Sequence, residues 1–181
     1  METLDVDDSA QEGAGERKEV AVASDYLLKL EGIKGDSLDA KHRDEIEIES
    51  FSWGATQPDG FASGGGGPGK ASFQDIHFTT RVNVASPNLM VACASGQHIK
   101  EATLTVRKAG EDQREYYIVK LSDNVVSSYH SGGSEGSNAL PVDQFSLNFA
   151  KIEVEYKSQR PDGSLGATAK GGWDLKANKK M

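Results

Sequence analysis

From Asp25 onward, apolar and polar positions alternate in short runs, the pattern of strands that bury one face. The runs predict strands over Tyr26 to Ile33, Glu45 to Trp53, Phe73 to Val84, Ile99 to Lys108, Glu115 to Ser122 and Phe145 to Tyr156, with a short one around Trp173. In the Phe73 run, Ile76, Phe78, Thr80, Val82 and Val84 stay in step. Two other runs slip by one residue: Ile46 and Ile48 give way to Phe51 and Trp53, and Phe145, Leu147 and Phe149 give way to Ile152, Val154 and Tyr156. Such a slip turns every later side chain to the opposite face unless a bulge or a change of sheet absorbs it. Strands that bend around a barrel or cross between packed sheets meet that need, whereas a flat sheet does not. The expected fold is mainly β, a β-barrel or two-sheet sandwich with one short α-helix and a long extended loop.

The helix is predicted over Ser86 to Gly96, with Ser86 as N-cap, Pro87 at the first helical position and Gly96 just past the end. It is expected to lie across one opening of a barrel and bury Leu89, Met90 and Cys93. Turns are expected at Gly35-Asp36, Ala109 to Asp112, Ser131 to Asn138 and Pro161 to Gly163.

Size and charge narrow the functional classes. A chain of 181 residues and 19.4 kDa suits one core. With 36% hydrophobic residues, 27% charged residues and a mean hydropathy of -0.53, it holds no apolar run long enough for a membrane helix. Met1 leads into an acidic, polar stretch, so no conventional secretory signal is expected and synthesis and folding are placed in the cytoplasm. Net charge is -8 and the pI is near 5.0, with no basic stripe, which argues against a nucleic-acid partner. Residues 1 to 24 hold seven acids against Arg17 and Lys18, a net -5. They lack aromatic residues and sustained periodicity, so this acidic tail is expected to be disordered or ordered by a partner, with the β domain over 25 to 181.

Motifs that suggest chemistry fail in their context. Gly64-Gly65-Gly66-Gly67-Pro68-Gly69-Lys70 opens like a P-loop, and its glycines also match a dinucleotide fingerprint. Both motifs need a following helix, and the P-loop needs a Ser or Thr after the lysine. Here Ala71 and a strand-like segment follow, so a glycine loop without nucleotide is expected. Gly132-Gly133-Ser134-Glu135-Gly136 matches G-x-S-x-G, but no helix follows to complete a nucleophile elbow. His42, His77, His98 and His130 lie in separate segments without metal-ligand spacing. Cys93, the single cysteine, reads as a core residue and makes no internal disulfide. No catalytic residue, metal or cofactor is expected. Trp53 is assigned to core packing, and Trp173 to core or interface.

Thr56 to Gly69 is different. These fourteen residues lack periodicity, lie between two strands and contain Pro58, Asp59, one large apolar residue, Phe61, and four consecutive glycines. Loops of this length in compact domains are usually functional or disordered. With no acid-base pair nearby, the composition favours a protein-interaction arm anchored by Phe61 over a catalytic lid.

The order of several segments resembles the Hcp (haemolysin-coregulated) tube proteins of type VI secretion systems. They are Tyr26-Leu27-Leu28-Lys29-Leu30-Glu31-Gly32-Ile33-Lys34-Gly35-Asp36-Ser37, Phe51-Ser52-Trp53-Gly54 running to Gln57, and Gly69-Lys70-Ala71-Ser72-Phe73-Gln74-Asp75. Ser86-Pro87-Asn88-Leu89-Met90, Ser95-Gly96-Gln97-His98 through Arg107-Lys108-Ala109-Gly110, Leu147-Asn148-Phe149-Ala150-Lys151 and Gly172-Trp173-Asp174-Leu175 continue the series. The resemblance implies a β-barrel with one helix beside it, a homo-hexameric ring, and rings stacked into a hollow tube. That tube leaves the cell within a contractile sheath behind a spike and carries small effectors in its lumen. It also implies export through the secretion machine without a signal peptide, so the protein is cytoplasmic only before export. The residues matching the family's ring-stacking loop are Gln57, Pro58, Asp59, Gly60, Phe61, Ala62, Ser63, Gly64, Gly65, Gly66, Gly67, Pro68 and Gly69. The acidic tail departs from the family, which usually begins close to the Tyr26 strand. Two other classes compete with a tube subunit: a serine hydrolase using Ser134, and a monomeric ligand-binding β module closed by the glycine loop.

Overall fold

The computed structural model describes residues 24–57, 70–108, 113–135, 140–160 and 164–181. The first strand, β1 (Ser24–Leu30), pairs antiparallel on one side with β2 (Ile46–Ile48) and on the other with β7 (His98–Lys108). β7 pairs in turn with β8 (Glu115–Gly132). Next come β10 (Lys151–Gln159), β11 (Leu165–Asp174) and β12 (Lys179–Lys180), giving the order β12-β11-β10-β8-β7-β1-β2. A second branch wraps over this one: β3 (Ser50–Ser52) pairs with β6 (Ile76–Arg81), β6 with β9 (Val142–Asn148), and β9 with β8. Among the described residues no ladder closes the wrap between β2 and β6. The chain itself bridges that corner, where the Glu49 amide donates to the Thr79 carbonyl at 2.8 Å and Thr80 Oγ1 donates to the Glu47 carbonyl at 2.6 Å.

Both slips mark places where the chain changes partner. Around Glu49 it leaves β1 as β2 and joins β6 as β3. Between Asn148 and Lys151 it leaves β6 as β9 and joins β11 as β10, while β8 runs opposite both halves. β8 follows this bend through Asp123, which takes a positive φ of 56°. Asn124, fully buried beside it, donates from Nδ2 to the carbonyls of Ile99 and Leu121 at 3.3 and 3.2 Å. An unpaired backbone carbonyl in this core is costly, so Asn124 fixes where the strand turns.

Leu28, Ile46, Ile76, Phe78, Leu104, Val119, Phe145 and Leu147 fill the space between the two branches, and the Phe78 and Phe145 rings stack with centroids 5.2 Å apart. The helix α1 (Ser86–Ser95) packs against β8 and puts Leu89 and Ala92 into this core. Burial of each such Leu or Phe contributes roughly 1.5–3 kcal/mol.

Several boundaries correct the sequence reading. The Tyr26 strand ends at Leu30, and Ile33 returns to it through a single bridge across a turn in which Gly32 has a φ of 85°. The Phe73 to Val84 run divides into β5 (Ser72–Phe73) and β6, and Val82 and Val84 are exposed because β6 ends at Arg81. β8 continues ten residues past Ser122 and takes in Ser131 and Gly132, which had been read as turn. The strand around Trp173 begins at Leu165. In α1 the N-cap is Ala85 without a side-chain bond, and Ser86 lies inside the helix, its hydroxyl drawn away to Asp143. Gly96 is left-handed at φ 64° as expected, with its N–H on the Cys93 carbonyl. Met90 is 48% exposed and Cys93 half-buried, because the inward positions are taken by Leu89 and Ala92.

Candidate functional site

The expected arm rises from a stem that stands apart from the main sheet. β4 (Ala55–Thr56) and β5 pair only with each other, Ala55 opposite Phe73 and Thr56 opposite Ser72. Just below them the Gln74 amide donates to the Gly54 carbonyl at 2.9 Å. The base is fastened twice. Phe73 meets Phe149 edge to face with centroids 6.3 Å apart, and Trp53 packs half-buried against the same core. Asp75 accepts from Ser127 Oγ at 2.6 Å and from Asn148 Nδ2 at 2.8 Å, tying the return strand to β8 and β9. Gln57 follows the first stem strand and is exposed. The other twelve residues of the expected loop, Pro58 to Gly69, lie outside the described residues.

Ser134 lies in an exposed turn after β8, and the next described element is the strand β9 rather than a helix. Lys70 leads directly into β5. Among the described residues no cluster of His, Cys, Asp and Glu is arranged to hold a metal. His98 pairs with Asp123 at 3.2 Å. His77 and His130 line one surface groove of about 400 Å³ with Ser128, Gln144 and Ser146. There Ser128 Oγ donates to Ser146 Oγ at 2.8 Å, which lies 2.6 Å from His77 Nδ1. Ser146 is buried, so this is a short polar relay across the sheet face rather than an accessible nucleophile.

Sequence reasoning missed three buried polar knots. Arg107, only 5% exposed, donates to Asp25 Oδ2 at 3.1 Å and to Asp39 Oδ2 at 2.6 Å, clamping the loop after β1 onto β7. That guanidinium, helped by the amides of Lys41 and His42, holds the Asp39 carboxyl well below the usual carboxylate range. His42 sits between Glu45, 3.0 Å from its Nδ1, and Glu115, 3.3 Å from its Nε2. Burial pushes the Glu45 carboxyl up, opposed by His42. Asp143, fully buried, accepts from Ser86, and burial followed by this carboxylate raises the Tyr129 phenol. Arg107, a charge directly after Leu104 and Val106 in a stretch that alternates into the core, was the one available signal.

Two exposed surfaces are apolar. The outer face of α1 presents Met90 and Val91, and the helix contains no charged residue. Leu38, 85% exposed, lies with Val82 and Leu140 along the corner beside β2. Among the described residues no helix is long and apolar enough to cross a membrane.

Comparison with known proteins follows the same architecture. Residues 27–156 match the family model described as type VI secretion system effector, Hcp. The chain is 42% identical over 160 residues to protein hcp1 of Pseudomonas aeruginosa, covering 87% of this chain and 98% of that one. The crystal structure of Hcp1 from Salmonella typhimurium superposes with a TM-score of 0.75 at 36% identity, covering 88% of this chain and 99% of the other. A structure described as a type six secretion system protein superposes with a TM-score of 0.82 at 31% identity, over 88% and 100% of the two chains.

Proposed function

The chain belongs to the Hcp family of type VI secretion system proteins, and from that membership we propose that it is a non-enzymatic tube subunit. Six copies close into a ring, rings stack into a hollow tube, and the lumen carries small effectors to be exported with it through the sheath and spike machinery. The observation that carries this reading is the β4–β5 stem. A two-stranded ribbon outside the main sheet has no stability of its own. Here it is fastened by Phe73, Trp53 and Asp75 at the root of a glycine-rich segment. A rigid root under a permissive loop suits an arm that seats on an adjacent ring, with Phe61 as its apolar anchor. The exposed α1 face and the Leu38 corner support the same reading, since apolar surface of this kind is usually covered in an assembly.

Native mass tests the ring: six times 19.4 kDa is about 116 kDa, the closed assembly required by cyclic symmetry. Phe61→Ala combined with Pro58→Gly tests the arm. The double variant is expected to keep its melting temperature and its ring while losing filaments under negative-stain microscopy. Filaments of wild-type length at equal protein concentration would remove the arm's role.

A further inference from the structure

The turn between β11 and β12 gathers cations that nothing beside them neutralises. β12 pairs back on β11, Lys180 opposite Trp173 and Lys179 opposite Asp174. The turn is held by the Ala177 amide, which donates to Asp174 Oδ1 at 2.8 Å, and by Asn178 at a φ of 50°. It presents Lys176, Lys179 and Lys180, all exposed, within five residues. Among the described residues no carboxylate lies within ion-pair distance of these three. The nearest acids along the ladder are committed elsewhere: Asp174 to the Ala177 amide and to Lys151 at 3.5 Å, and Glu153 to Lys170 at 2.9 Å. Other exposed lysines are isolated, Lys120 standing opposite Glu153 and Lys100 preceding Glu101.

The complement lies in the sequence ahead of β1. Residues 1–12 contain Glu2, Asp5, Asp7, Asp8 and Glu12 and no base, whereas in residues 13–23 Glu16 and Glu19 are balanced by Arg17 and Lys18. The whole negative excess of the tail therefore sits in its outer half. The order β1-β7-β8-β10-β11-β12 puts five strand spacings, about 24 Å, between β1 and β12. Lys180 lies level with Leu30, through Ala102, Leu121, Ile152 and Trp173, six residues along from Ser24 and so about 20 Å further up the sheet. The diagonal over the sheet is then about 31 Å. The stretch from Glu12 to Ser24 extends to about 40 Å, and that from Glu19 to Ser24 only to about 17 Å. The acidic block reaches the lysine turn, and the balanced stretch has the length of a linker to it.

We propose that residues 1–12 dock on Lys176, Lys179 and Lys180 of the same chain, so that the β11–β12 turn is a recognition site for an acidic segment and the chain's own tail occupies it. Single exposed ion pairs are weak. Tethering raises the effective concentration of the tail at the turn, so several such pairs together hold it there. The contact is between exposed charges and is therefore screened by salt. It is made within one chain and needs no second copy. An acidic segment of another protein reaches these lysines only by displacing the tail.

Lysine footprinting on the full chain tests it, with an amine-reactive acetyl ester and the extent of labelling read by mass spectrometry. The comparison is a full-length variant with a neutral tail: Glu2→Gln, Asp5→Asn, Asp7→Asn, Asp8→Asn and Glu12→Gln. At about 20 mM salt Lys176, Lys179 and Lys180 are expected to react about threefold or more slowly in the wild type, and at about 0.5 M salt the two chains are expected to react alike. Lys100 and Lys120 are expected to react equally in both chains throughout. The slowing is expected to persist on tenfold dilution, as a contact within one chain requires. Carbodiimide treatment of the wild type is expected to cross-link an acid of residues 1–12 to one of the three lysines. Equal labelling of the three lysines in the two chains at low salt overturns the proposal. So does a slowing shared by Lys100 and Lys120, which marks a diffuse field, and so does one that fades on dilution.

Discussion

β7 and β11 are strands of nearly equal length, eleven and ten residues, with opposite relations to the fold. β7 has partners along both edges, and Leu104, Thr105, Val106 and Arg107 are all buried, so its second half is enclosed on both faces as well. β11 has one long ladder and an exposed middle, and it meets the core only near Trp173. The first strand is held by what it displaces from water. The second is held by backbone bonds to β10, and among the described residues its outer side is paired only near Trp173 and Asp174. In this molecule the interior supplies the stability of β7, while β11 is held by its ladder to β10 and a short contact with the core.

That contrast can be broken at four points. Leu104→Ala, in the middle of β7, is expected to cost about 2–5 kcal/mol in urea unfolding, since the cavity is closed in on every side. A cost below about 1 kcal/mol would mean that β7 is not the enclosed strand described here. Trp173→Ala is expected to cost roughly 2 kcal/mol, less than a fully buried Trp, because the ring is half-buried and its Nε1 finds no partner among the described residues.

The third point is the acid response of the Arg107 clamp. Arg107, with two backbone amides, depresses the Asp39 carboxyl in the folded state. The resulting stability is present above the ordinary carboxylate value, near pH 4, and is lost as pH falls toward the depressed one. Urea midpoints taken between about pH 5 and 2 should therefore fall for the wild type. The slope should be shallower for Arg107→Met, which starts from lower stability because Asp25 and Asp39 lose their partner. Equal slopes would show that Asp39 draws nothing from Arg107. The smallest effect belongs to the middle of β11: Ala169→Thr is expected to change stability by no more than about 0.5 kcal/mol, its side chain standing in solvent.

How much of this could be read in advance follows from the same contrast. The slips at Ile48–Phe51 and Phe149–Ile152 were legible because buried strands must keep apolar residues on one face. The shift of phase therefore records the change of partner at Glu49 and after Asn148. The second half of β8, from Asp123 to Gly132, was not legible. Its Ser127, Ser128, His130 and Ser131 carry no apolar rhythm, and it is a strand because β9 pairs with it. β11 was reduced to a stub around Trp173 for the same reason: Gly, Ala and Thr with no buried face still form a strand when β10 lies alongside. Ser86 looked like a cap because its preference for helix starts is local, but its hydroxyl found Asp143, fifty-seven residues away. Of the candidate arm, the length and composition were visible in the sequence, and its paired, fastened stem was not.

The sequence by itself determined the β class, the helix with its terminal glycine, the two bends and the presence of a long glycine-rich segment. Each of these is set by neighbouring residues, through alternate burial or a backbone angle that only a few residues tolerate. Only the tertiary structure decided which strands lie beside β8, which carboxylates close on Arg107 and where the β4–β5 stem is tied. Those outcomes join residues as far apart as Asp25 and Arg107, and no local preference along the chain specifies which distant groups will meet.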